Sequence, residues 1–350
     1  MDDRGLQQTA AQLEAWRAKG TRAVFARVVE LQGFSTWSGD ELVAVNEAGE
    51  RRGDILGRYG AGRVAEAAAD VLAGPGTLFR LAIEVHGSRV ADAGLSCGGQ
   101  ADLLLQPAEA VPEELWAALA ARAPVALLTR IDGPGAGPAG TAVHPDGTWQ
   151  GGLGDPATPP GAGLVAAAVE ALRSGNTMTR RLDDPTGAVL ADIWVPSPRV
   201  VVVGAGELVG AIAAQASLLG WETRATDALT EVDGLLAWGG ASTALVVLSH
   251  DPHVDAPALA AGLAAGAAYV GAMGSRRTQS RRIERLRAAG VTDAALERIH
   301  RPIGLDLGGR SAAEVALSIG AEILAVRCGR DGRPLAERQG AINDRPTVSA

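Results

Sequence analysis

Val200-Val-Val-Val203-Gly204-Ala205-Gly206-Glu207-Leu208-Val209-Gly210 decides how the second half of the chain is read. Four consecutive β-branched residues make a strand buried on both faces, as in the middle of a parallel sheet. The glycines that follow permit a tight turn, and Leu208 to Leu219 then reads as a helix. Beyond it lie further segments of alternating strand and helix character: Glu222 to Thr226, Ala244 to Ser249, Ala256 to Ala265, Ala268 to Ala272 and Thr278 to Ala289. The alternation predicts an α/β fold, a Rossmann-like doubly wound parallel sheet over 199–329. Ser311-Ala-Ala-Glu314 is a capping-box pattern opening a last helix to about Arg327. Residues 330–350 read as a loose, solvated tail.

Ser197-Pro198 is a linker signal, and the chain before it follows another pattern. Gln7 to Lys19 reads as an amphipathic helix, Ala23 to Glu30 as a strand, and Gly33 to Gly39 as a loop. Leu42 to Val45 and Gly53 to Leu56 bracket a predicted hairpin turning at Asn46 to Gly49. A helix, Arg63 to Leu72, and strands Thr77 to Val85 and Ala101 to Leu105 complete the set. The set then recurs at a spacing of about 100 residues, too long for a solenoid period. Val125 to Ile131 mirrors Val24 to Glu30, Thr141 to Gly154 mirrors Leu42 to Gly57, and Ala166 to Leu172 mirrors Ala65 to Leu72. The reading is an α+β N-terminal region with an internal duplication, one copy over 1–108 and a second over 109–196.

Composition sets the outer bounds. With 350 residues, 47% of them apolar and 21% charged, the chain can bury two or three cores. A net charge of −8 argues against general affinity for nucleic acid. The longest apolar stretch, Ala256 to Ala272, is broken by Gly and Pro and is too weak to span a bilayer. Met1 to Gly20 has no secretory h-region, and Cys97 and Cys328 are too few for a disulfide framework. The expectation is a cytoplasmic protein with free thiols.

Three strand ends and one cysteine offer chemistry. Gly204 and Gly206 open a helix whose unpaired N–H groups face an anion, with Asp227 near the place of a ribose-binding acid. Gly210 falls one residue later than in the dinucleotide fingerprint, and Glu207 works against an anion; a tight turn without a ligand is the alternative. Ser249-His250-Asp251-Pro252-His253 ends another strand. There His250 and Asp251 suit proton transfer or, with His253 and Asp255, metal binding, while a capping role for Asp251 is the plainer alternative. Gly274-Ser275-Arg276-Arg277 brings backbone amides, a hydroxyl and two guanidinium groups to a third strand end, a combination that suits phosphate. Here the plain alternative is that Arg276 to Arg287 is a solvated basic helix face. Gly94-Leu-Ser-Cys97-Gly98-Gly99 sets a thiol between glycines.

Together these segments resemble the XdhC/CoxI family. The likeness is densest over Arg199 to Gly329, in Val-Val-Gly-Ala-Gly (202–206), Ser-His-Asp-Pro (249–252), Tyr-Val-Gly-Ala-Met-Gly-Ser-Arg-Arg-Thr (269–278) and Arg-Pro-Ile-Gly-Leu-Asp-Leu-Gly (301–308). The resemblance implies a xanthine dehydrogenase accessory protein that binds molybdenum cofactor, as molybdopterin or its dinucleotide form. It further implies that the protein assists sulfuration and insertion of that cofactor into a molybdenum hydroxylase apoenzyme of the xanthine dehydrogenase or carbon monoxide dehydrogenase type. On this reading Cys97 contacts sulfur or cofactor, Asp306 joins the cofactor-binding residues, a cysteine desulfurase is a partner, and a homodimer is the assembly. The chain departs from the family pattern at Gly57-Arg58-Tyr59, where the family carries Gly-Gly-Cys, at Gly33 to Gly39, and at Glu207, where the family usually carries His. Two alternatives stand beside the chaperone: an NAD(P)-dependent oxidoreductase with His250 as its acid, and a divergent scaffold that binds no pterin.

Overall fold

The computed structural model describes residues 3–32, 41–74, 77–85 and 98–337. One compact unit takes in Met1–Val195 and a second Pro196–Ile342.

The first unit is built twice from one plan. Helix α1 (Asp3–Ala18), strands β1 (Ala23–Gln32), β2 (Leu42–Asn46) and β3 (Arg51–Gly53), helix α2 (Gly57–Ala73) and strands β4 (Phe79–Val85) and β5 (Gly99–Pro107) form the first copy. Helix α3 (Glu113–Ala120), strands β6 (Val125–Arg130), β7 (Ala139–Val143) and β8 (Trp149–Gly154), helix α4 (Ala162–Arg173) and strands β9 (Met178–Asp184) and β10 (Gly187–Trp194) form the second. Their antiparallel sheets have the orders β3-β2-β1-β5-β4 and β8-β7-β6-β10-β9, the same topology element for element.

Alternation along the central strands explains the layering. Val24, Ala26 and Val28 of β1 pack on α2, and Ala126 and Leu128 of β6 pack on α4. Phe25 and Leu127, pointing the other way, share a core with Trp116 of α3 and with Leu13 and Trp16 of α1. The two inner sheet faces meet through Arg27, which pairs with Asp192 and donates from Nη2 to Thr129 Oγ1 at 3.0 Å.

Two sequence expectations shift. The hairpin returns along Arg51–Gly53 instead of Gly53 to Leu56, because the Asn46 N–H donates to Glu50 O and pairing resumes one residue later. Leu56, at φ 49°, instead leads into α2. The repeat also moves by one residue at its first strand. Val24 lies opposite Val45 and Ala126 opposite Val143, so Val24 corresponds to Ala126 and not to Val125.

In the second unit, β11 (Arg199–Val203), α5 (Glu207–Leu218), β12 (Glu222–Thr226), α6 (Leu229–Gly239), β13 (Thr243–Val247), α7 (Pro252–Ala264), β14 (Tyr269–Ala272), α8 (Arg276–Ala288), α9 (Asp293–Glu297), β15 (Ile299–His300) and α10 (Ala312–Arg327) follow in turn. All strand pairs are parallel, in the order β12-β11-β13-β14-β15. Val200 and Val202 share a core with residues of α5 and α10, Val201 and Val203 with residues of α6 and α7. Both faces of β11 are therefore covered, which is why its run is wholly apolar. The chain reverses its direction of travel across the sheet between β11 and β13, and the crevice at the C-terminal ends of those strands is where such sheets receive ligands. Among the described residues no helix is long and apolar enough to cross a membrane.

Candidate functional site

Residues after β11, β13 and β14 crowd the C-terminal edge of the parallel sheet. Gly204 has φ +147° and Gly206 φ +102°, conformations that L side chains rarely adopt. A Cβ on Gly204 would lie 2.9 Å from Leu248 Cβ, whereas one on Gly206 would meet nothing within 4 Å. The turn is thus pinned on its inner side and open at the mouth of α5. Its amide is held by β12, with Gly204 N–H donating to Thr226 O at 2.8 Å. Asp227 and Glu207 are both exposed at this edge, and Glu207 occupies the first turn of α5. Gly210 borders open space, so it does not serve the close helix–strand packing that the third fingerprint glycine provides.

After β13, Asp251 caps α7 by accepting from His253 N–H at 2.8 Å, and its own N–H donates to Ser249 Oγ. His250 and His253 are exposed. No group of three His, Cys, Asp or Glu side chains placed to hold a metal occurs among the described residues. Asp255 is turned inward and pairs with Arg282 of α8, whose Nε and Nη2 reach Asp255 Oδ2 at 3.0 and 2.8 Å. Arg282 also donates to Met273 O and Ser249 O, tying the ends of β13 and β14 together. In the sequence, Arg276 to Arg287 reads as one basic run. The structure separates Arg282, 1% exposed, from its exposed neighbours Arg276, Arg277, Arg281 and Arg285. The signal that distinguishes it is helical phase, since Arg282 shares its face with Gln279 and Leu286, also buried.

After β14, Ser275 caps α8 by accepting from Thr278 N–H, which leaves Arg276 and Arg277 in the first turn facing solvent. Gln279 Nε2 donates to Ala272 O and Gly274 O and fixes the turn from below. Beside it opens a cavity of about 390 Å³, walled in part by Gly274 and by residues 302–309, Asp306 among them. That loop is anchored by Glu322 of α10, which accepts from Gly304 N–H at 2.8 Å and from the Tyr269 hydroxyl and lies 3.5 Å from His300 Nδ1. Cys97 lies outside the described residues, as do Gly33 to Gly39. Tyr59 packs its ring against the apolar core of the first copy.

Residues 200–323 match the family model of the XdhC Rossmann domain. The match lies wholly within the C-terminal unit, which is similar to that domain. Over 148 residues the chain is 32% identical to the uncharacterized protein YqeB of Escherichia coli (strain K12), a match covering 37% of this chain and 27% of that protein. Over 137 residues it is 30% identical to the molybdenum cofactor insertion chaperone PaoD of the same strain, covering 38% of this chain and 41% of PaoD. The matches therefore span less than half the length of either relative. A solved chain from Bacillus halodurans, described as a xanthine dehydrogenase, aligns over 97% of this chain and 98% of its own with a TM-score of 0.48 and 17% identity. The Gly204–Gly206 turn, the Ser249–Asp251 turn and the Gly274–Arg277 turn all fall inside the matched residues.

Proposed function

We propose that this chain is an accessory protein that binds molybdenum cofactor, as molybdopterin or its dinucleotide form, and assists its sulfuration and insertion into a molybdenum hydroxylase of the xanthine dehydrogenase or carbon monoxide dehydrogenase type. The observation that carries the reading is the pair of anion-ready turns on one sheet edge. Gly206 leaves the N-terminus of α5 open where a side chain would otherwise project, and Ser275 presents the N-terminus of α8 with two arginines that have no acidic partner among the described residues. A phosphate-bearing pterin fits this donor set, since helix N-termini and guanidinium groups both favour phosphate. Glu207 opposes an anion at the first turn, which gives the α8 side the larger share of the grip. Bound there, the cofactor supplies the client enzyme's redox centre. The residues of this chain hold its phosphate, orient it and shield it. The similarity of the chain to PaoD supports the accessory role.

Cys97 is the sulfur-handling thiol in this reading, a cysteine desulfurase the sulfur source, a homodimer the assembly and the cytoplasm its place. NAD(P) is the competing occupant of the Gly204–Gly206 turn, favoured by the exposed Asp227 just beyond β12. Anaerobic titration with molybdenum cofactor, with NAD(P)H in parallel, tests the proposal. Tight stoichiometric binding of the pterin is expected. Replacing Arg276 and Arg277 together with Ala should weaken it about tenfold or more for each charge-assisted hydrogen bond removed. Unchanged affinity would reduce both arginines to a solvated helix face, and binding of the nicotinamide alone would put the oxidoreductase reading first.

A further inference from the structure

The cavity beside the α8 turn combines apolar surface with a carboxylate. Met273, Pro302, Ile303 and Leu305 supply apolar surface, Ser318 is occupied in donating to Leu305 O, and Asp306 is the one carboxylate in the lining. Its wall is rigid. A Cβ on Gly304 would sit 2.5 Å from Ser318 Oγ and one on Gly309 2.5 Å from Glu314 Cβ, so the loop lies directly against α10. Ile303 N–H donates to Ala272 O at 3.1 Å, Leu305 N–H to Ser318 O at 3.2 Å and Gly304 N–H to Glu322. The N–H groups of Asp306, Gly308 and Gly309 have no acceptor among the described residues. One end of the cavity touches Gly274, the residue before the α8 cap.

We infer that this cavity receives a 2-amino-4-oxopyrimidine ring, the edge that a pterin and a guanine share, with Asp306 as the residue that reads it. Two adjacent in-plane donors, the ring N–H and the exocyclic amine, match the two oxygens of a carboxylate as a guanidinium does. Apolar walls take the faces of a flat ring, and the free loop amides suit its oxo group. The ligand's phosphate then lies toward Ser275 and Arg276. This rests on the phosphate grip proposed above and adds the ring's identity and orientation. Adenine and cytosine lack the paired donors and are excluded by the same carboxylate.

The test uses the whole chain and four probes: neopterin monophosphate, GMP, AMP and CMP, with affinities read by calorimetry. Neopterin monophosphate and GMP should bind about tenfold or more tightly than AMP and CMP, and the tighter of the two assigns the source of the ring. Asp306→Asn, which turns one acceptor into a donor, should erase that preference while leaving AMP and CMP unchanged. Arg276→Ala with Arg277→Ala should weaken all four alike. A preference that survives Asp306→Asn overturns the inference, as does failure of all four probes to bind the wild-type chain. If the arginine variant weakens every probe while no ring preference exists, the ring reading falls and the phosphate grip stands.

Discussion

Glu322 shows how one side chain sets a boundary condition for the site. Burial alone would raise its pKa, but hydrogen bonds from His300, Tyr269 and the Gly304 N–H outweigh it and hold the carboxyl below the ordinary glutamate range. Tyr269 moves the other way: burial, then the bond to Glu322, pushes its phenol well up, so it remains a donor. A carboxyl depressed in the folded state contributes stability that is complete above its unfolded value, about 4.3, and is lost as pH falls through the lower folded value. Thermal stability of the wild type should therefore drop on acidification below about pH 4.3. Glu322→Gln should lower the melting temperature at neutral pH and flatten that acid limb. A variant whose melting curve tracks the wild type from pH 3 to 7 (roughly the span that matters for a carboxyl) would show that Glu322 does not anchor the 301–310 loop.

Individual elements differ in how plainly the sequence announces them. The run Val200 to Val203 leaves no choice, because only a strand covered on both faces uses four such residues in succession. Helix α6 is hidden: Gly234 sits in its middle, and Val232 and Leu236 are its only fully buried large side chains, too few to mark a period. Strand β10 is hidden for a different reason. Asp192 interrupts its apolar pattern, and that residue makes sense only once Arg27, far away in sequence, is placed opposite it. The same blindness applies to the site. Turns at strand ends are readable from local letters, whereas the Asp255–Arg282 tie and the cavity around Asp306 depend on pairings between separate helices and loops. At this scale α10 offers a direct test. Ser311 and Glu314 form the full reciprocal capping box, so Ser311→Ala should cost about 1 kcal/mol in urea unfolding. A loss within measurement error would mean that packing on β14, and not the cap, fixes where α10 begins.

At the scale of the whole molecule, the matched strand orders make the first unit a pair of equivalent halves. Phe25 lies opposite Gln106 and Leu127 opposite Asp192, so Arg27 corresponds to Thr129 and Gln106 to Asp192. The contacts obey that equivalence: Arg27 meets Asp192, Thr129 donates to Gln106 at 3.4 Å, and Arg27 touches Thr129 itself. This is the reciprocal pattern of a two-fold interface. Burial pushes the Asp192 carboxyl up against the pull of Arg27 and Thr179, and Arg27 Nη1 is buried without a partner. Such a pair contributes little net stability, yet removing one member strands the other's charge. Arg27→Met alone should destabilise by about 3–5 kcal/mol, and Arg27→Met with Asp192→Leu should recover most of that loss. Chemical denaturation of the single and double variants decides it; a double variant as unstable as the single one would show that the pair itself is needed.

The two halves share a covalent chain, and that changes what a substitution means. In a true two-fold dimer every interface residue appears twice, and an arginine at this position would meet its own image near the axis. Here the related position holds a threonine, so one guanidinium serves the contact between the two central strands and only one acid had to be taken out of water to meet it. Joining the copies end to end frees each to drift without its twin. The first half can keep a loop for chemistry and the second can become pure support, a division of labour that no symmetric pair of separate chains can reach.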